Sequence, residues 1–120
     1  MRIAVTAQGP GIEATVDPRF GRTRYFVLVD TQNDSVTNVD NTVNVEAAQG
    51  AGIQAGRKIV ELGAEVVLTG HVGPKAFDTL RAGGVRVFSG VTGTVADAVA
   101  AFQAGRLPAT EAPDVQGHWG

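Results

Sequence analysis

The sequence predicts a single α/β domain in which a mixed five-stranded sheet carries helices on both faces. In the second half of the chain, short apolar runs of strand length alternate with apolar residues at helical spacing. In the first half, two strand-like runs are separated by a short turn, as in a hairpin. The chain has 120 residues, of which 43% are hydrophobic, and this is enough for one compact core.

The first half of the chain is predicted to supply three strands. Ile3–Ala7 is an apolar run that ends in a glycine-rich loop, which is typical of a buried strand. Tyr25–Asp30 is a second apolar run, and Ser35–Val39 alternates polar and apolar residues as a half-exposed strand does. Because turn-forming residues join the last two runs, we expect an antiparallel hairpin with the third strand near the sheet edge.

The second half is predicted to alternate helices and strands. Glycine stops and a threonine cap delimit the helices. The elements are a helix over Ala51–Leu62, a strand over Ala64–Thr69, a helix over Lys75–Arg81, a strand over Val85–Phe88 and a helix from the cap at Thr94 to Gln103. The order β-β-β-α-β-α-β-α implies right-handed crossovers between parallel strands. With the hairpin, it predicts a ribonuclease H-like fold.

We predict that residues 1–107 form this domain and that residues 108–120 form a mobile C-terminal tail. The tail contains Pro108 and Pro113 and ends in glycine-rich sequence, which disfavours regular structure.

Composition and charge exclude several functional classes. The chain has no cysteine, which excludes disulfides and thiolate ligation of zinc or of iron–sulfur clusters. Its net charge of −2 differs from the basic stripe of a protein that binds nucleic acid or a membrane surface. Because neither a signal peptide nor a long apolar segment is recognisable, we expect a cytoplasmic protein.

The sequence gives little support for catalysis. The first predicted strand has none of the carboxylates with which ribonuclease H-like nucleases hold two metal ions. The chain also has no Gly-x-x-x-x-Gly-Lys-Ser/Thr phosphate loop and no serine nucleophile elbow. We therefore expect a protein that is not an enzyme.

Four loops that contain glycine follow predicted strands, and open α/β sheets bind ligands outside the carboxyl ends of their strands. These loops are residues 8–22, 41–50, 70–74 and 89–93. Near the end of the first loop stand Arg19, Arg22 and Arg24, with Phe20 and Gly21 between them. Guanidinium groups suit oxyanions and polarizable anions. The alternative is a solvated basic loop that is anchored in the core by its phenylalanine.

The other three loops supply backbone N–H groups and one imidazole. Their candidate ligand-binding residues are Gly50, Gly52, Ile53, Gly70, His71, Val72, Gly73, Gly90, Thr92 and Gly93. Helix starts and glycine nests attract anions, and His71 is the candidate metal ligand. Each loop alone also has an ordinary explanation as a helix entry, a surface histidine or a capped turn. Together they predict a site for a compact anion, without naming it.

The same segments, taken together, resemble the dinitrogenase iron–molybdenum cofactor biosynthesis family. The matching stretches are residues 1–5, 16–22, 25–26, Asn44, Gln49–Ile53, Gly70–Phe77 and Gly90–Val95. The resemblance covers about residues 1–107, and the order and spacing of the stretches are more specific than any one of them.

The resemblance implies a ribonuclease H-like fold and the non-covalent binding or carrying of an anionic, molybdenum-containing metal–sulfur cluster. Within the family, the chain is most similar to members associated with a molybdenum–copper sulfide cluster; an iron–molybdenum–sulfur cluster is the alternative. Many relatives have histidine at the position of Arg19, and some have cysteine near Thr23. This chain has neither, which implies ion pairing with the cluster instead of direct ligation of iron by this loop. The three arginines would then supply cations, and Phe20, Ile53 and Val72 apolar walls.

The resemblance leaves a second class of function open. In that alternative the domain is a regulatory or scaffold protein that acts through a partner ATPase in cell division. A cofactor-assembly protein is a further partner that the family implies.

Overall fold

The computed structural model describes residues 1–42 and 50–113. Its elements are β1 (Arg2–Ala7), β2 (Tyr25–Asp30), β3 (Ser35–Asp40), α1 (Ala51–Glu61), β4 (Val66–Leu68), α2 (Pro74–Ala82), β5 (Arg86–Phe88) and α3 (Val95–Gln103). The predicted α/β class, with a mixed five-stranded sheet, is confirmed. The ends of these elements lie within two residues of the predicted ends.

The sheet has the strand order β3-β2-β1-β4-β5. The three strands β1, β4 and β5 are parallel to one another, whereas β2 is antiparallel to both of its neighbours. The register of the hairpin runs from Asp30↔Ser35 to Tyr25↔Asp40. Because β3 is at one end of the strand order, it is an edge strand as predicted. All strands except β2 therefore end at one edge of the sheet, which we call the carboxyl edge.

The core has two layers because successive side chains of a strand point to opposite faces. Ala4 and Val67 pack on one face with residues of α1 and α2, among them Ile59 and Leu80. Ile3, Val5 and Leu68 pack on the opposite face with Val95 and Ala98 of α3. The predicted helices on both faces are thus present.

The first residues of the predicted tail lie against β5, the other edge strand. The N–H of Thr110 donates to the carbonyl of Val87 in β5 (2.8 Å), and its hydroxyl accepts from the N–H of Ser89 (2.8 Å). A guanidinium nitrogen of Arg81 donates to the carbonyl of Glu111 (3.3 Å). The rest of the predicted mobile tail, from residue 114, lies outside the described residues. No helix in the described ranges is long and apolar enough to cross a membrane.

Thr94 caps α3 as predicted and forms a capping box with Asp97. Its hydroxyl accepts from the N–H of Asp97 (3.1 Å), and the Asp97 carboxylate accepts from the N–H of Thr94 (3.2 Å). We expect Thr94→Ala to lower the free energy of unfolding by about 1 kcal/mol, since it removes one N-cap. Urea denaturation measures this loss. Thr92→Ala, which changes a nearby exposed threonine, is the control, and an equal loss there would contradict the cap.

Candidate functional site

The loops at the carboxyl edge are joined by backbone hydrogen bonds. The N–H of His71 donates to the carbonyl of Pro18 (2.7 Å), and the N–H of Phe20 donates to the carbonyl of His71 (3.1 Å). This short parallel pairing sets Arg19 directly beside His71. Since the loop after β1 and the loop after β4 pair in this register, Arg19 and His71 are neighbours in the candidate site.

The alternation of side chains in this pairing decides which residues face solvent. Arg19 and His71 are exposed, whereas Phe20 and Val72 have no exposed surface. Phe20 packs in the core against Phe26, with 5.7 Å between the ring centroids. The sequence suggested Phe20 and Val72 as apolar walls for a ligand. In the structure both side chains lie beneath the surface, where they anchor the two loops in the core.

Gly70 allows these loops to approach each other. A Cβ atom at this residue would lie 2.5 Å from the Cα of Pro18 and 2.7 Å from its carbonyl oxygen. The carbonyl of Gly70 also accepts from the N–H of Gly90 (2.7 Å), which brings the loop after β5 alongside. Three of the four predicted loops thus meet at this glycine.

The loop after β5 also pairs with the first loop. The N–H of Val16 donates to the carbonyl of Gly93 (2.9 Å), and Thr15 pairs with Thr94 across an antiparallel bridge. Gly93 has a φ of +90°, a conformation that residues with a Cβ rarely adopt. Gly90, Thr92 and Gly93 are all exposed.

The arginines differ in exposure. Arg19 and Arg24 are exposed, and Arg22 is half-buried. Within residues 1–42 and 50–113, neither Arg19 nor Arg24 forms an ion pair closer than 4 Å. The same ranges hold no group of three or more histidine, aspartate or glutamate residues that could bind a metal ion.

The start of α1 supplies backbone donors but no side-chain cap. Gly50 is the N-cap residue with φ +79°, and the described residues provide no side-chain hydrogen bond to cap the helix and no acid in its first turn. Gly52 is buried and Ile53 is half-buried. Asn44 and Gln49, which carried part of the resemblance, lie outside the described residues.

Buried polar groups beneath the arginine loop were missed by the sequence analysis. The hydroxyl oxygens of Thr6 and Thr69 are 2.8 Å apart, and Thr6 donates to the carbonyl of Asp17 (2.8 Å). The hydroxyl of Thr23 accepts from the N–H of Ala7 (3.0 Å). The signal that could have revealed them is their position, since Thr6 and Thr69 stand at the ends of apolar strands where only a buried partner satisfies a hydroxyl.

Asp17 is the buried acid of the site. Its carboxylate accepts from the N–H of Arg19 (3.0 Å), and only 4% of the residue is exposed. Burial raises the pKa of this carboxyl above 3.8, although backbone N–H groups and the positive charges of Arg19 and Arg24 act in the opposite direction. The Asp17 carboxylate thus holds the backbone of the arginine loop at Arg19.

The raised pKa predicts a pH effect on stability. Above pH 3.8, and up to the pKa of folded Asp17, the folded state holds more protons than the unfolded state, so this group makes stability fall as pH rises. We expect Asp17→Asn to remove that fall in urea denaturation between about pH 3.5 and 7. Asp40→Asn is the control of opposite sign, because hydrogen bonds from Thr42 lower the pKa of Asp40. An unchanged profile in Asp17→Asn would contradict the assignment.

A family model described as dinitrogenase iron-molybdenum cofactor matches residues 1–105 of this sequence. The chain belongs to this family. A solved structure of the apo form of the orange protein from Desulfovibrio gigas is similar, at 46% identity and a TM-score of 0.93, with 95% of this chain and 96% of that one covered.

Two further relatives have lower sequence identity to this chain. A putative NifB protein from Thermotoga is 35% identical, with a TM-score of 0.84 and coverage of 97% of this chain and 98% of that one. An uncharacterized protein of Methanocaldococcus jannaschii is 25% identical over 95 residues, which are 77% of this chain and 80% of the relative. The match to each relative spans most of both chains.

Proposed function

We propose that the carboxyl edge of this family member binds an anionic, molybdenum-containing metal–sulfur cluster without covalent bonds. The observation that carries the proposal is the pairing of Arg19 with His71, which holds two exposed side chains, a guanidinium and an imidazole, on one rim. Backbone N–H groups at the start of α1 and in the loop after β5 add neutral donors. Such donors favour an anion and carry no preference for a bare metal ion.

The donor set fits a cluster that brings its own sulfide ligands. The chain has no cysteine, and its described ranges hold no group of histidines and carboxylates that could ligate a metal. Arginine forks and N–H groups bind instead to the outer atoms of a sulfide-bridged anion. Membership of the dinitrogenase iron-molybdenum cofactor family supports a metal–sulfur cluster as the cargo. We propose a molybdenum–copper sulfide cluster, with an iron–molybdenum–sulfur cluster as the alternative.

The proposal includes the remaining properties of such a carrier. It acts in the cytoplasm without catalysing a reaction, and it exchanges the cluster with a cofactor-assembly protein or a partner ATPase. The strand order 3-2-1-4-5 with an antiparallel β2 supports the ribonuclease H-like label for its scaffold. The first strand, however, has the sequence RIAVTA and therefore no acid for nuclease chemistry.

The proposal is tested by reconstitution. The purified protein is mixed with tetrathiomolybdate and a copper salt, freed of small molecules, and measured by visible absorption and metal analysis. We expect retained colour with a fixed ratio of molybdenum and copper to protein. A colourless, metal-free protein after the same treatment would overturn the proposal. Parallel loading with iron salts and thiomolybdate decides between the two clusters.

Salt should weaken this complex. Arg19 and Arg24 are exposed, and the Debye length falls from about 10 Å at 0.1 M to about 3 Å at 1 M ionic strength. We expect the retained fraction of the cluster to fall steeply over this range, measured by absorbance after desalting. A retained fraction that does not change with salt would mean that ion pairing with exposed arginines is not what holds the cluster.

A further inference from the structure

Helix α3 is apolar on more than the face that it buries. Seven of its nine residues are apolar, but only Val95 and Ala98 are buried. Ala96, Val99 and Ala100 form a second apolar stripe at spacings of three and four residues. The other two helices have charged residues on their exposed faces: Arg57, Lys58 and Glu61 in α1, and Lys75, Asp78 and Arg81 in α2. An apolar outer stripe of this kind is typical of a helix with a further neighbour.

This stripe borders a groove that continues onto the sheet. Val29 and Val36 are cross-strand partners in β2 and β3, so they lie on the same face, and Val36 is 43% exposed. Ile12, also 43% exposed, closes one end, where the N–H of Gly11 donates to the side-chain oxygen of Asn38 (2.8 Å). We call this the α3–β3 groove; it has a volume of about 280 Å³.

The charged residue that lines the α3–β3 groove is acidic, and so are the charged residues next to its lining residues in the sequence. Asp34 lines it. Glu13 follows Ile12 and Asp97 follows Ala96, and both acids are exposed. The N–H of Ala96 donates to the carbonyl of Ile12 (2.9 Å), which brings these two acids to the same end. The groove lining, as the structure describes it, includes no lysine or arginine.

We propose that the α3–β3 groove docks an amphipathic helix of a partner protein, with aliphatic residues in the groove and lysine or arginine residues on both flanks. Apolar anchors fit the valine floor and the α3 stripe, and basic flanks complement the acidic rim. A second copy of this chain is a poor occupant. Self-association through this face would bring the acidic rim of one copy (Asp34, Glu13 and Asp97) against the acidic rim of the other, and like charges at an interface are unfavourable.

The test uses two model helices of about 18 residues, or five turns. Both carry the same leucine stripe; one has lysine and the other has glutamate on the flanks. Binding to the intact protein is measured by fluorescence anisotropy, and the bound face by amide chemical-shift changes. We expect the lysine helix to bind at least about tenfold more tightly than the glutamate helix, with shifts at Val36, Ala96 and Val99. Equal affinities, or shifts elsewhere, would overturn the proposal.

Matched variants separate groove binding from attraction to an acidic protein. Val36→Lys should weaken the lysine helix at least about tenfold, since it removes an anchor and adds a repelling charge. Val60→Lys makes the same change at a valine of α1 that is 37% exposed, and it should leave the affinity unchanged. Glu13→Gln with Asp34→Asn should reduce the preference for lysine, because it removes two of the three acids. Asparagine tolerates the positive φ of 55° at residue 34, so the fold should be retained.

The self-association alternative has its own outcome. Sedimentation equilibrium of the protein alone reports whether it forms a dimer. A dimer that Val36→Lys abolishes, with no binding of the lysine helix, would overturn the partner helix in favour of a second copy. Equal loss of binding in Val36→Lys and Val60→Lys would show that the groove is not the docking site.

Discussion

Replacing both Arg19 and Arg22 with alanine should abolish most cluster retention in the reconstitution assay. A hydrogen bond to a charged group contributes about 1.5–3 kcal/mol, so the loss of two guanidinium groups should weaken binding by about 100-fold or more. Arg19 is exposed on the rim beside His71, and substitutions at such surface sites usually change stability by about 0.5 kcal/mol or less. The measurement is the metal content per protein after desalting, with urea denaturation to check folding.

The matched control removes two arginines from elsewhere. Arg86 is the first residue of β5, at the end away from the carboxyl edge, and Arg106 follows α3 at its C-terminal end. Arg86→Ala with Arg106→Ala lowers the net charge of −2 by the same two units and should retain the cluster. If both double variants lose it equally, overall charge and not the arginine loop governs retention. Undiminished retention in the Arg19 and Arg22 variant would refute the site.

A lysine variant tests how the guanidinium groups act. Arg19→Lys with Arg22→Lys keeps the charge but replaces each planar fork with a point charge. Partial retention by this variant would indicate that charge supplies most of the affinity. Retention as low as in the alanine variant would indicate that two-pronged hydrogen bonding to the cluster is required.

The elements of the fold could be predicted because each is encoded by local sequence. A four-residue turn separates Tyr25–Asp30 from Ser35–Val39. Thr94 and Asp97 form a capping box at the start of the helix that they cap. Periodicity, turns and caps all act within a few residues. The predicted and observed bounds therefore agree closely, from β1 to α3.

The candidate site could be predicted only in outline, since its details depend on contacts between distant segments. The sequence indicated which loops share the carboxyl edge, but not that residue 19 pairs with residue 71. This register turns Phe20 and Val72 inward and Arg19 and His71 outward. The burial of Asp17 and the hydroxyl pair of Thr6 and Thr69 depends on the same packing, and no pattern within one segment encodes it.

Gly70→Ala should be the most destabilising small substitution at this edge. The new methyl group would lie 2.5 Å from the Cα of Pro18 and 2.7 Å from its carbonyl oxygen, and both are backbone atoms that cannot rotate away. The loop after β1 must then separate from the loop after β4, which stretches the hydrogen bonds between Pro18, His71 and Phe20. Overpacking of this kind costs about 1–3 kcal/mol, and we expect a loss near the upper end in urea denaturation.

Gly9→Ala is the control within the same loop. Its added Cβ would come no closer than 4.0 Å to another atom, that of Ala14, so the variant should be neutral or more stable by about 0.4–1 kcal/mol. The Gly70 variant should also retain less cluster than the Gly9 variant, because Arg19 and His71 lose their common register. If Gly70→Ala is as stable as the parent and retains the cluster equally well, the close approach of the two loops is not what forms the site.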